Sequence, residues 1–275
     1  MPASLRFIRQ TWLKLLVGGA LLFFGAEQAL KLTGNLGFVP AVLLLGAFTI
    51  PAAFVTFFYG RERSTDRAVH VGLPLSLVSA CFLFGGAIGV IVAASLEYET
   101  LRTLTVFGLF GVGLVEESAK LIFPVVIYMR ARYRSEADGL LFGVASGMGF
   151  AALETMGYGL ASLVQSRGNV GTLEETLLIR GLLSPVGHAA WTGLICGVLW
   201  RQREQTGRSF NAGVIWVFVL ALVLHALWDI AGSFQQPVVT FAGFVIIGGT
   251  SFTLLLRRLR EASRYATLKV AADER

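Results

Sequence analysis

The sequence predicts an all-α fold: a polytopic membrane helix bundle of about eight transmembrane helices, with both termini cytoplasmic. Three observations predict it. Hydrophobic residues make up 55% of the chain and charged residues only 15%, against about 25% charged in soluble globular domains. Apolar runs of roughly 20 residues, the length needed to cross a bilayer, recur from end to end. Lys and Arg gather at alternate ends of those runs, as the positive-inside rule requires.

The spans fall at about Trp12–Leu30, Phe38–Tyr59, Val71–Ser95, Leu104–Met129, Gly139–Val164, Gly181–Trp200, Ala212–Gly232 and Val238–Leu256. The first follows Arg6 and Arg9 and carries Lys14. It has the basic start of a signal peptide but no small-residue cleavage site, so it is expected to remain as a helix. Near its outer end Glu27 and Lys31 are four apart and can pair. Arg61, Arg63 and Arg67 follow the second span, Arg130, Arg132 and Arg134 the fourth, and Arg201, Arg203 and Arg208 the sixth. The tail after the eighth adds Arg257, Arg258, Arg260, Arg264, Lys269 and Arg275. The opposite side has only Lys31, Arg102, Arg167 and Arg180 of the 23 basic residues. The longest outer loop is expected at about Gln165–Arg180, with Glu174 and Glu175 in a solvated turn. No soluble domain, repeat or low-complexity stretch interrupts the pattern, so the chain reads as one integral membrane domain over 1–275.

Mean hydropathy is +0.70 and formal net charge +6. The basic residues flank apolar runs, where they meet anionic headgroups; they form no basic patch with interleaved aromatics, so no nucleic-acid partner is expected. The partners implied are the bilayer and a membrane-anchored protein. Cys81 and Cys196 both lie inside spans, which suggests packing rather than a disulfide or thiolate site.

Function is sought where lipid should be. Glu116, Glu117, Glu154 and Asp229 interrupt apolar runs, as do His188 and His225. One such group at the bilayer centre costs on the order of 3 kcal/mol. At 1.5 Å per residue, Glu116 lies roughly 18 Å from the outer surface, Glu154 about 15 Å, His188 about 12 Å and His225 about 10 Å. Four helices thus bring polar groups to a common depth, and the catalytic core is expected at approximately 104–232. Lys120 is four from Glu116 and three from Glu117, so it can pair with either. His225 and Asp229 share a helix face, where Asp229 can orient the imidazole. Gly139, Gly143 and Gly147, with Gly193 and Gly197, are spaced for close helix approach.

Two chemistries fit these residues. In one, Glu154, His188 and His225 hold a divalent metal such as zinc, which acidifies a bound water. In the other, Glu116 activates water directly and the histidines stabilise an oxyanion. Both hydrolyse a peptide bond inside a membrane.

At these positions the chain resembles the PrsW family of intramembrane proteases, and more distantly the CAAX-protease and bacteriocin-processing superfamily. The matching pieces are Glu116-Glu117-Ser118-Ala119-Lys120, Phe150-Ala151-Ala152-Leu153-Glu154, His188 in Gly187-His188-Ala189-Ala190-Trp191, and His225 to Asp229. The resemblance implies a multi-pass enzyme of the cell (plasma or inner) membrane that cleaves a membrane-bound protein, such as an anti-sigma factor, on its extracytoplasmic side. It also implies that Glu116 is the water-activating residue and that Glu117 pairs with Lys120, with Glu154, His188 and His225 completing the catalytic set and Asp229 supporting it. Glu154 stands where the CAAX branch has histidine, so prenylated substrates are not implied.

Competing readings are an ion- or proton-coupled transporter, in which buried acids relay cations, and a non-catalytic scaffold. The absence of a repeat between the two halves counts against transport. The motifs HExxH, GxGD and GxSG of other intramembrane proteases are missing.

Overall fold

In the computed structural model, residues 3–65, 73–103, 108–207 and 211–273 are described. They form helices and no strand, as the composition predicts. The expected span starts at Val71 and Leu104, and the basic residues Arg67, Arg208 and Arg275, lie outside them.

The helices are α1 (Ala3–Thr33), α2 (Val39–Thr65), α3 (Leu75–Ala80), α4 (Gly86–Thr103), α5 (Gly108–Met129), α6 (Glu136–Gln165), α7 (Val170–Leu183), α8 (His188–Thr206), α9 (Ala212–Ser233) and α10 (Pro237–Asp273). A π-turn at Cys81–Gly85 joins α3 to α4 in one apolar rod. Seven stretches among the described residues are long and apolar enough to cross a membrane. Helix α5 is not among them: its 22 residues suffice in length, but Glu116, Glu117 and Lys120 all lie in it.

Local chemistry sets the ends. Asn169 caps α7 by accepting from the N–H groups of Gly171 and Thr172, and Asn211 caps α9 by accepting from Val214. Gly207 closes α8 with a left-handed φ of 68°, a conformation that favours glycine.

One sequence expectation is corrected here. The outer loop expected at about Gln165–Arg180 is mostly helix, because α7 begins at Val170. Leu173 and Leu177, four apart, are fully buried and give the segment an apolar stripe. Glu174 is not merely solvated: Lys31 donates to it at 3.0 Å. Lys31 also pairs with Glu27, as their spacing predicts.

The described chain divides into two compact units, Met1–Arg61 with Ala151–Pro185, and Glu62–Phe150 with Val186–Arg275. The first contains α1, α2, the second half of α6, and α7. Its core joins Phe23, Leu30, Val42, Leu43, Leu173 and Leu177. The second contains the remaining helices, with α5 packed on α4, α8 and α9, and α10 packed on α8 and α9.

In the second unit α6 and α8 interlock through glycine. A Cβ on Gly143 would lie 2.4 Å from the Thr192 carbonyl oxygen, and one on Gly147 would lie 2.4 Å from that of His188. The small-residue stripe therefore sets how closely α8 approaches, and so where His188 and Thr192 stand.

Candidate active site

The second unit brings together Glu116, Glu117, Lys120, His188 and His225. Helix α5 supplies the first three, α8 supplies His188 as its opening residue, and α9 supplies His225. The ammonium of Lys120 is the hub. It lies 2.9 Å from Glu116 Oε2, 2.8 Å from Glu117 Oε1 and 2.8 Å from His188 Nδ1. It also sits 4.2 Å from the centre of the Phe150 ring, a cation–π contact. The spacing left open which glutamate Lys120 would choose; it takes both.

These contacts assign protons. An ammonium can only donate, so His188 Nδ1 accepts and the imidazole carries its proton on Nε2. A carboxylate can only accept, so His225 Nδ1–H donates to Glu117 Oε1 at 2.9 Å. His225 Nε2 then faces Glu116 Oε2 at 3.6 Å and Asp229 Oδ2 at 3.7 Å. Asp229 is thus on the expected face but beyond direct hydrogen-bond reach. Glu117, rather than Asp229, fixes the His225 ring.

The two glutamates differ in access. Glu117 is fully buried, and its second oxygen accepts from Thr192 Oγ1 at 3.3 Å. Glu116 and His188 keep 7% and 13% of their side chains exposed, and Asp229 keeps 26%. The cluster therefore has an inner wall of Glu117 and Lys120 and an outer side of Glu116, His188 and Asp229.

Glu154 belongs to the first unit. There Arg180 pairs with it at 2.6 Å, and the guanidinium also lies 3.8 Å from the centre of the Tyr158 ring. Arg180 had registered only as a basic residue of the outer side. Thr192 has no role in the sequence reading, and Trp191 enters it only as part of the His188 motif. Ser146 donates to the Lys120 carbonyl at 2.7 Å. Thr192 and Trp191 stand four and three residues after His188, which was a usable signal of a shared helix face.

A family model described as "PrsW family intramembrane metalloprotease" matches residues 73–255. The chain belongs to the PrsW family. Similar curated proteins are each named Protease PrsW. The one from Oceanobacillus iheyensis is 22% identical, covering 78% of this chain and 87% of its own length. That from Bacillus subtilis is 26% identical over 64% of this chain and 76% of its own. That from Halalkalibacterium halodurans is 24% identical over 68% and 81%. No solved structure matches the chain significantly. As a PrsW-family member it is a multi-pass integral membrane protein and a peptidase that works within the membrane.

The family description implies a metal. Among the described residues no group of three His, Cys, Asp or Glu side chains converges as metal ligands do. Glu116, Glu117 and His188 Nδ1 instead surround the Lys120 ammonium. In this arrangement the PrsW residues fit a built-in cation and not a metal ion. Cys81 and Cys196 are buried free thiols, and Cys81 donates to the Phe142 carbonyl at 3.3 Å. They are packing residues, as expected.

Proposed function

We propose that this PrsW-family protease hydrolyses a peptide bond of a membrane-anchored protein by glutamate-activated water. The observation that carries the proposal is the buried cluster of Glu116, Glu117, Lys120, His188 and His225 on helices α5, α8 and α9. Glu116 is the general base. It is the more accessible of the paired acids, and its carboxylate faces His225 Nε2 at 3.6 Å, a gap that one water can bridge.

The water gives a proton to Glu116 as its oxygen attacks the substrate carbonyl carbon. Negative charge then develops on the carbonyl oxygen, where the Nε2–H of His188 can donate. As the C–N bond breaks, Glu116 returns the proton to the leaving amine. Glu117 and Lys120 touch no substrate in this scheme; they hold the two imidazoles in the required tautomers. His225, aided by Asp229, orients the water. No step is assigned to Glu154, whose carboxylate is held by Arg180.

The substrate class that the family resemblance supports is a membrane-bound anti-sigma factor or similar single-span protein, cut toward its extracytoplasmic side. The Lys and Arg distribution supports cytoplasmic termini and residence in the plasma or inner membrane. Residues 104–232 would form the catalytic core of a single membrane domain.

The test is cleavage of a panel of single-span proteins by purified protein in detergent. Glu116→Gln and His188→Ala should each abolish cleavage without loss of membrane insertion. Full activity in both would overturn the scheme.

A further inference from the structure

Trp191 is fully buried and touches both histidines of the cluster. Its indole face stacks on His225, with centroids 4.6 Å apart and planes at 23°. His188 meets it edge-on at 5.6 Å and 73°. A buried indole N–H needs a partner, and it donates to Ser251 Oγ at 3.0 Å. Ser251 is itself fully buried and comes from α10. Its own O–H donates to the Ile247 carbonyl at 2.8 Å. That bond directs an oxygen lone pair at the indole.

The hydrogen bond from His225 Nδ1 to Glu117 fixes one atom of the imidazole. A ring held at one atom can still pivot about that bond and swing Nε2 away from Glu116. A stacked plane removes the pivot, provided that the plane is itself held. We infer that Ser251 and Trp191 are a positioning pair: Ser251 holds the indole, and the indole holds the His225 ring so that Nε2 stays aimed at Glu116. This rests on the hydrolytic site proposed above. Apolar packing of Trp191 with Ile195, Ala221 and Leu224 would explain its burial, but it leaves the indole N–H without an acceptor.

The experiment compares Ser251→Ala, Trp191→Phe, the double variant and Ser251→Thr. Ser251→Ala deletes the acceptor alone, and Trp191→Phe deletes the donor together with part of the stacked indole. With the internally quenched single-span peptide that wild type cleaves fastest, each should lower kcat roughly 10-fold, with KM within about 2-fold. The double variant should lose roughly 10-fold and not 100-fold. Ser251→Thr, which keeps the hydroxyl, should stay within about 2-fold of wild type. Carbethoxylation of His225, followed by mass spectrometry, reads the same restraint without substrate. It should quicken at least about 3-fold in both single variants, and the double should match Trp191→Phe.

Wild-type turnover in either single variant, multiplicative losses in the double, or an unchanged modification rate would refute the positioning pair. A wild-type protein that cleaves no member of the panel would refute the hydrolytic reading instead, and the modification rates would still decide the pair.

Discussion

Lys120 Nζ lies 2.8 Å from His188 Nδ1 across 68 residues of sequence. The contact joins the acidic motif of α5 to the first residue of α8 and dictates which nitrogen of His188 bears the proton. Lys120→Met should therefore do more than remove a charge. It leaves two buried carboxylates uncompensated, with an expected loss of about 3–5 kcal/mol, and releases the His188 tautomer. Thermal unfolding in detergent and cleavage rate should fall together. Lys120→Arg should not rescue, because a planar fork cannot replace a compact ammonium at three close partners.

The paired glutamates should separate in assay. Glu116→Gln is expected to lose roughly 100-fold or more in kcat, while its unfolding midpoint falls less than that of Glu117→Gln because Glu117 still pairs with Lys120. Glu117→Gln weakens the charge partnership of both Lys120 and His225, so its midpoint should fall clearly. Equal midpoints for the two variants would contradict the inner-and-outer division.

Metal dependence gives a third check. Because an ammonium occupies the centre of the donor cluster, dialysis against a chelator should leave cleavage within about 2-fold of the untreated rate. Stoichiometric zinc in the purified protein, with activity lost to chelator and restored by zinc, would overturn the donor geometry described above.

The α6–α8 approach can be tested with one methyl group. Gly143→Ala places a Cβ against the Thr192 carbonyl and should push α8 outward, costing about 1–3 kcal/mol and most of the activity. Gly157→Ala, on the same helix but with nothing within 4 Å of the new carbon, should be neutral or stabilise by up to about 1 kcal/mol. Similar behaviour of the two variants would show that the close approach does not matter.

The ion pair of the first unit makes its own prediction. Arg180→Ala and Glu154→Gln each remove one side of a partly exposed pair, worth about 1 kcal/mol or less. The double variant should be no less stable than the worse single variant. Additive losses would mean that the two side chains act separately.

Much of this was legible in the chain. The meeting of Glu116, Glu117, His188 and His225 is foreshadowed by charge inside apolar runs, and the reach of Lys120 follows from helix spacing. The start of α7 was not legible, because Glu174 and Glu175 mask the Leu173–Leu177 stripe and Lys31, which neutralises Glu174, lies 143 residues away. Trp191 and Ser251 were hidden for a related reason. An indole and a hydroxyl inside apolar helices look like ordinary packing until a tertiary contact gives them a partner. The choice of Glu117 over Asp229 for His225 is likewise tertiary: both carboxylates are within reach on paper, and only the packing of α5 on α9 decides between them.

Helix α5 has a consequence for biogenesis. With three charges near its middle, it is a poor signal for the translocon, at about 2.5–3.5 kcal/mol per charged residue near a helix centre. Lys120 offsets its acids within the helix, but His188 and His225 reach the three charges only when α8 and α9 arrive. Residence of this segment in the bilayer is then a late and cooperative event, and chains truncated before α9 should leave it exposed to quality-control proteolysis.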